Sequence, residues 1–138
     1  MATELSHRSV TVERVAPGTF AAVNDRGGRM VFGAEGFSPV DLLLAAIGGC
    51  TAIDVDILTS RRAEPDSFVI TVDADKVRDD GGNHLVNIEV TYRITFPAGA
   101  DGDNARAILP DVVRKSHDRL CTVSRTVELP TPVAARIE

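Results

Sequence analysis

Several features that would suggest a function directly are scarce in this chain of 138 residues. It has no tryptophan, one tyrosine and five phenylalanines, so aromatic platforms on which nucleic-acid bases stack are not expected. The formal net charge is −5, and the 15 basic residues are scattered rather than gathered into the basic stripe of a nucleic-acid binder. We therefore expect no nucleic-acid partner.

Signals for export or membrane insertion are also missing from the sequence. The N-terminal segment shows no basic stretch followed by an apolar run and a cleavage site, so we predict no secretory signal and a cytoplasmic location. Three acidic residues, Asp41, Asp54 and Asp56, interrupt the most apolar stretch and leave it too short to cross a bilayer. We expect no membrane association.

Cysteine is limited to Cys50 and Cys121. Because the cytosol keeps thiols reduced, a purely structural disulfide is not expected, and the two residues require an explanation by chemistry, metal binding or packing. The remaining composition, 43% hydrophobic and 25% charged in 14.7 kDa, is typical of one soluble globular domain over residues 1–138.

The most informative stretch is a predicted helix over residues 36–60. Ser38 is a suitable N-cap, Pro39 suits the first helical position, and Asp41 can complete a capping box. Apolar residues cover most of the helix circumference, which predicts a core element. Gly48 and Gly49 each cost about 1 kcal/mol relative to Ala in a helix, so we expect them to allow close approach of a backbone or a ligand beside the cysteine that follows.

The rest of the chain predicts an α+β fold. Closely spaced turns predict an antiparallel meander of strands at 9–15, 19–24 and 29–32, and alternation predicts a long hairpin of strands at 67–78 and 84–96. In the hairpin one apolar face is expected to hold alternate residues from 68 to 74 and from 86 to 96. A helix capped by Asp103 and running to about Arg119, with a kink or late restart at Pro110, should carry Cys121 at its end. An edge strand is predicted over 126–137.

The predicted central helix is more apolar than one small sheet can cover. Packing between two copies of the chain would supply the missing cover. We therefore predict a homodimer in which the central helices and sheets of two chains combine.

Cys50 and Cys121 lie far apart in the sequence, and their order alone does not bring them together. If they meet, a thiolate could attack a peroxide oxygen and the second thiol could condense with the resulting sulfenic acid. Cys50 lies mid-helix, where the helix dipole has little effect, so its activation would need a cation such as arginine. Taken singly, either cysteine is better explained by packing.

The histidines and Asp54 suggest no separate site. His117 is four residues before Cys121 and could touch it or simply pack, and His84 is expected at the surface. Asp54 shares a helix face with Cys50, where its carboxylate would raise the thiol pKa, so it should point to solvent or a cation. Two cysteines and two histidines lack the close ligand spacing of a zinc site, and we expect neither a metal nor another cofactor.

Two motifs carry a resemblance to a known family. The segment SPVDLLLAAIGGCTAIDV at 38–55, together with HDRLCTVSRT at 117–126, resembles the OsmC/Ohr family of osmotically induced and organic hydroperoxide resistance proteins. The resemblance implies an intertwined homodimer with two antiparallel sheets around two central helices. It also implies two-cysteine reduction of organic hydroperoxides, with Cys50 peroxidatic and Cys121 resolving. A dithiol such as a lipoylated protein is the implied reductant.

The resemblance also implies an arginine that activates the peroxidatic thiol. Arg29 is the best-placed candidate and Arg26 the second. Val40 stands where the family peroxidases have a glutamate that orients this arginine. The alternative is therefore a non-catalytic or redox-sensing dimer that binds an apolar small molecule between its helices.

Overall fold

A computed structural model describes residues 3–138. Its elements follow one another as β1 (Thr11–Ala16), β2 (Thr19–Val23), β3 (Arg29–Gly33), α1 (Pro39–Thr59), β4 (Ser67–Asp79), β5 (Gly82–Thr95), α2 (Ala100–Lys115), a π-helix (Ser116–Leu120) and α3 (Thr122–Glu128). Residue contacts divide the chain into two compact units, one ending at Leu43 and the other covering Leu44–Glu138.

The first unit is the predicted antiparallel meander, with strand order β1-β2-β3. Gly18 turns the chain between β1 and β2 with φ of 69°, a conformation that glycine adopts without steric cost. In the turn before β3, the Asn24 side chain accepts hydrogen bonds from the backbone N–H groups of Arg26 and Gly28. Local turn chemistry therefore accounts for both reversals of the meander.

The first unit also contains the start of α1, and the predicted capping box is confirmed. The Ser38 backbone N–H donates to Asp41 Oδ2 at 2.9 Å, and the Asp41 N–H donates to Ser38 Oγ at 3.2 Å. The hydrogen bonds that the Ser38 backbone N–H and, second, the Ser38 hydroxyl donate to the Asp41 carboxylate lower the pKa of Asp41. Two of the unpaired groups at the helix start are thereby satisfied.

The second unit contains the predicted long hairpin, in which β4 and β5 pair antiparallel from Ser67↔Thr95 to Asp79↔Gly82. A bulge at Asn87 interrupts the register: φ is 54° there, and the Asn87 amide donates to Asp75 Oδ2 at 3.0 Å. Val86 consequently pairs with Asp75. The prediction that Val86 belongs to the same apolar face as the later residues of β5 is therefore wrong. The extra residue moves the residues on the hairpin-tip side of the bulge to the opposite face of the hairpin.

In the second unit, α1 packs on this hairpin along one face. A Cβ atom placed on buried Gly48 would lie 2.8 Å from Val72 Cγ2 and 3.6 Å from Ile70 Cγ2. Gly48 therefore permits the close approach that the sequence predicted, whereas nothing lies within 4 Å of a Cβ placed on Gly49. On other faces of the helix, Ile53 and Ile57 are more than half exposed.

This helix is also the one among residues 3–138 whose length and composition would allow a membrane span. Such a match is weak support for membrane insertion, because core helices of soluble proteins pass the same test. The prediction of a homodimer likewise stays a prediction.

The C-terminal part of the chain differs most from expectation. Helix α2 begins at Ala100 after Gly99, not at an Asp103 cap, and it runs through Pro110 without a restart. Asp103 instead pairs with Arg106, at 2.8 Å. Gly102 permits the early start, since a Cβ there would overlap the Pro97 carbonyl oxygen.

Beyond α2 the chain forms a π-helix and then α3, so the strand predicted over 126–137 is wrong, and Cys121 lies between two helices rather than at the end of one. Cys121 itself caps α3 by accepting the N–H of Ser124, which turns a segment of high strand propensity into a helix. No regular structure follows Glu128 in the described chain.

Candidate thiol site

The two cysteines meet in the second unit. Cys50 is half-buried in the middle of α1, and Cys121 is fully buried at the start of α3. The two thiols are near enough for each to shift the pKa of the other. Both are free thiols. The fold therefore places two reduced sulfurs side by side from distant parts of the sequence.

Cys121 lies among hydrogen-bond donors. Its sulfur is 3.3 Å from Ser124 Oγ and accepts the Ser124 backbone N–H at 3.4 Å. Burial by itself would raise the pKa of Cys121, but hydrogen bonds from Ser124, from Cys50 and from the Val123 amide together outweigh it and lower the pKa. The surroundings of this sulfur favour a thiolate.

Cys50 has the opposite balance. Burial raises its pKa most, and the neighbouring Cys121 and the Asp54 carboxylate raise it further, while the Val123 amide opposes them. The expected repulsion between Asp54 and Cys50 is therefore present. These surroundings hold the Cys50 proton, so a peroxide-reactive Cys50 needs an additional positive charge.

A chain of hydroxyl groups lies behind the thiols. Ser116 Oγ is 2.8 Å from Asp54 Oδ2 and 2.9 Å from Thr51 Oγ1, and Thr51 Oγ1 is 2.8 Å from the Tyr92 hydroxyl. Because a carboxylate only accepts, the single proton of Ser116 goes to Asp54, and Thr51 and Tyr92 donate in turn along the chain. Asp54 is thus held by a buried partner rather than by solvent or a cation, contrary to the sequence-based expectation.

The π-helix connects this chain of hydroxyls to Cys121. The Cys121 backbone N–H donates to the Ser116 carbonyl oxygen at 2.8 Å, five residues back, which closes the wide π turn. Ser116 is completely buried. Its side chain therefore contacts α1 while its backbone holds Cys121.

Neither hydrogen bond of the His117 ring is to Cys121. Its Nδ1 lies 3.0 Å from Asp118 Oδ1, and its Nε2 lies 2.9 Å from Glu128 Oε1. These hydrogen bonds, that of Asp118 first, raise the pKa of His117. His117 thereby links the π-helix to the end of α3. His84 lies at the hairpin tip, exposed as predicted, 3.8 Å from Asp79.

A cavity of about 460 Å³ adjoins the thiol site. Its wall contains the hydroxyl groups of Ser124, Thr51 and Tyr92. It also contains the charged or ionisable groups of Glu89, Arg114, His117 and Glu128. The apolar part of the wall consists of Ile47, Ile88, Val90, Val113 and Val127. Its size suits a small organic molecule.

The predicted arginines lie in the first unit. Arg29 is the first residue of β3 and Arg26 is in the preceding turn, and both are exposed. Val40 is the second residue of α1, and Asp41 serves the capping box. The activating role of Arg29, or of Arg26, stays a prediction.

Sequence reasoning missed Ser116 and Ser124 as site residues. For Ser124 the sequence held no cap signal, because cysteine is not among the preferred N-cap residues and serine does not complete a capping box. For Ser116 there was no local signal, since its partners are 62 and 65 positions away.

Comparison with solved structures shows a shared fold. A hypothetical protein from Aquifex aeolicus VF5 matches with a TM-score of 0.73 and 22% identity, over 90% of this chain and 89% of that one. An OsmC-like protein of unknown function from Vibrio cholerae matches with a TM-score of 0.70 and 12% identity, over 90% and 95%. An organic hydroperoxide resistance protein from Elizabethkingia anophelis matches with a TM-score of 0.57 and 15% identity, over 91% of each chain.

These structures confirm the predicted α+β fold with two antiparallel sheets. No curated protein matches the sequence significantly. The family model for OsmC-like proteins matches residues 32–136, which include both cysteines and every element from α1 onwards. The chain therefore belongs to the OsmC-like protein family.

Proposed function

We propose that the protein is a thiol-dependent peroxidase that reduces organic hydroperoxides, with Cys50 as the peroxidatic and Cys121 as the resolving cysteine. The observation that carries this proposal is the proximity of the two thiols. Exposure supports the order of the roles, because Cys50 is partly accessible to a substrate whereas Cys121 is buried. The name of the Elizabethkingia anophelis relative supports the class of substrate.

In the first step the Cys50 thiolate attacks one peroxide oxygen and the O–O bond breaks. The alkoxide takes up a proton and leaves as an alcohol, and Cys50 becomes a sulfenic acid. Cys121 then attacks the Cys50 sulfur, the S–O bond breaks, and water leaves as the disulfide forms. An external dithiol, such as a lipoylated protein, restores both thiols by exchange.

The first step needs a cation because burial, Cys121 and Asp54 all favour the protonated Cys50. We assign this role to Arg29. A homodimer is part of the proposal, supported by exposed Ile53 and Ile57 on α1. Sedimentation as a stable monomer at micromolar concentration would contradict the dimer.

The test is to mix the reduced protein with cumene hydroperoxide and count free thiols. We expect both thiols to be lost in a disulfide, no disulfide in Cys50→Ser, and a sulfenic acid that dimedone traps in Cys121→Ser. A sulfenic acid that forms in Cys50→Ser instead would reverse the two roles. Arg29→Gln should slow the first step, with Arg26→Gln as the matched control.

A second function is favoured by the cavity, whose wall is largely apolar, and by Val40. It is a non-catalytic or redox-sensing dimer that binds an apolar small molecule. No loss of thiols at millimolar peroxide, together with saturable binding of an apolar fluorescent probe, would favour this function over the peroxidase.

A further inference from the structure

Ser124 is the residue in closest polar contact with the buried thiol. It makes two hydrogen bonds with Cys121: its backbone N–H donates to the sulfur at 3.4 Å, and its hydroxyl oxygen accepts the Cys121 S–H at 3.3 Å. When Cys121 is a neutral thiol, its S–H can donate to the Ser124 oxygen; when it is a thiolate, the Ser124 hydroxyl can turn and donate to the sulfur. Only Ser or Thr at this position allows both arrangements.

The stability of α3 does not require the hydrogen bond between the Ser124 hydroxyl and Cys121. The N–H of Ser124 already caps α3 through the sulfur, and this bond would persist with any non-proline residue at position 124. Alanine also has a higher helix propensity than serine. The hydroxyl adds a second hydrogen-bonding group, which the helix does not require, beside a residue that is 0% exposed to water; it accepts from the thiol and can donate to the thiolate.

We propose that Ser124 is a positioning residue for the resolving step: its hydroxyl and N–H groups stabilise and aim the Cys121 thiolate that attacks oxidised Cys50. This inference rests on the proposed function. In the step, the Cys121 sulfur is oxidised and the Cys50 sulfur is reduced as the S–S bond forms. The hydroxide released from Cys50 takes up the proton that Cys121 lost on ionising and leaves as water, and no further oxidant is needed.

The neighbouring polar groups differ between the two thiols, as separate roles for Cys50 and Cys121 require. Asp54 on α1 acts on Cys50 and Ser124 acts on Cys121, whereas the Val123 amide acts on both. Without the hydroxyl, the sulfenic acid of Cys50 would persist longer. It would then be exposed to a second peroxide molecule and to irreversible oxidation to the sulfinic acid.

The experiment compares Ser124→Ala with the wild-type protein and with the control variant Thr126→Ala. The control also removes a hydroxyl group from α3, but the hydroxyl of Thr126 donates to the Thr122 carbonyl oxygen. We expect Ser124→Ala to slow disulfide formation more than it changes the first oxidation of Cys50. Loss of a hydrogen bond to a charged group lowers thiolate stability by about tenfold. Since a more basic thiolate is a better nucleophile, disulfide formation should slow by only about threefold at fixed pH.

Mass spectrometry should also detect more sulfinic acid on Cys50 in Ser124→Ala, and Ser124→Thr should restore the wild-type behaviour. Equal resolution rates in Ser124→Ala and Thr126→Ala would overturn the proposal. Should Ser124→Ala fail to fold, Ser124→Gly provides a second removal of the hydroxyl.

A separate measurement distinguishes this inference from the proposed function. In a Cys50→Ser background, the pH dependence of the ultraviolet absorbance of the thiolate reports the ionisation of the buried Cys121 without any peroxide. An increase in the Cys121 pKa on Ser124→Ala, but not on Thr126→Ala, supports the role of Ser124 even if the wild-type protein ignores peroxides. No increase would overturn it.

Discussion

The Ser116 hydroxyl lies 2.8 Å from the Asp54 carboxylate, one helical turn beyond Cys50. The carbonyl oxygen of the same serine accepts the Cys121 N–H. A single buried residue thus contacts the helix that carries one thiol and the backbone that carries the other. Ser116 therefore connects the two elements that carry the thiols.

Replacement of Ser116 by alanine should therefore destabilise the fold and loosen the thiol pair. The change leaves Asp54 without its buried partner and Thr51 with Tyr92 alone, which costs about 1–3 kcal/mol in the free energy of unfolding. Urea denaturation measures this loss, and the rate of disulfide formation should fall as well. Ser67→Ala, which removes an exposed hydroxyl from β4, should change stability by less than about 0.5 kcal/mol. Equal stability of the two variants would contradict the assignment.

Replacement of Asp54 by asparagine should lower the pKa of Cys50, because a negative charge that opposes the thiolate is removed. The pH dependence of alkylation in a Cys121→Ser background measures this pKa. Asp56→Asn, an exposed neighbour on the helix, is the control. A higher pKa in Asp54→Asn would show instead that Asp54 holds a cation against Cys50.

Replacement of Gly48 and of Gly49 by alanine should change the stability of the protein in opposite directions. In Gly48→Ala the new methyl group meets Val72 at 2.8 Å, and this overpacking should destabilise the protein by about 1–3 kcal/mol. In Gly49→Ala the methyl group enters open space, and the higher helix propensity should stabilise by about 0.5–1 kcal/mol. Thermal denaturation distinguishes the two. A loss of stability in Gly49→Ala would indicate that a partner surface covers this side of α1.

The link from His117 to Asp118 and Glu128 should depend on pH. Because these carboxylates raise the pKa of His117 in the folded state, the link contributes stability that is fully present below the unfolded pKa of about 6.5 and lost as pH rises through the folded value. An NMR titration should show the raised pKa, and Glu128→Gln should lower it. Glu64→Gln, which changes an exposed residue of the loop after α1, should not. An unchanged titration in Glu128→Gln would contradict the link.

Local chemistry made much of the fold predictable. The capping box at Ser38, the turns of the meander and the alternation in the hairpin each follow from residues close together in sequence, and each was confirmed. The bulge at Asn87 was not predicted, because one extra residue leaves hardly any trace in an alternating pattern. Its position depends on the partner strand, through Asp75.

The C-terminal segment was misjudged because propensity and context disagree there. The Thr and Val residues of 122–128 and two later prolines favour an edge strand, but the cap formed by Cys121 makes a helix. The site shows the same limit. Both motif cysteines were identified, whereas the contact between Ser116 and Asp54 depends on how α1 and the end of α2 pack.

The π-helix before Cys121 makes chain length as important as residue identity. A π turn holds one residue more than the α turn it replaces, and each residue advances a helix by about 100°. Deletion of one residue within Ser116–Leu120 would leave a continuous α-helix and turn Cys121 away from Cys50. The loss of a single residue would thus separate the two thiols, although both cysteines and the rest of the fold would remain.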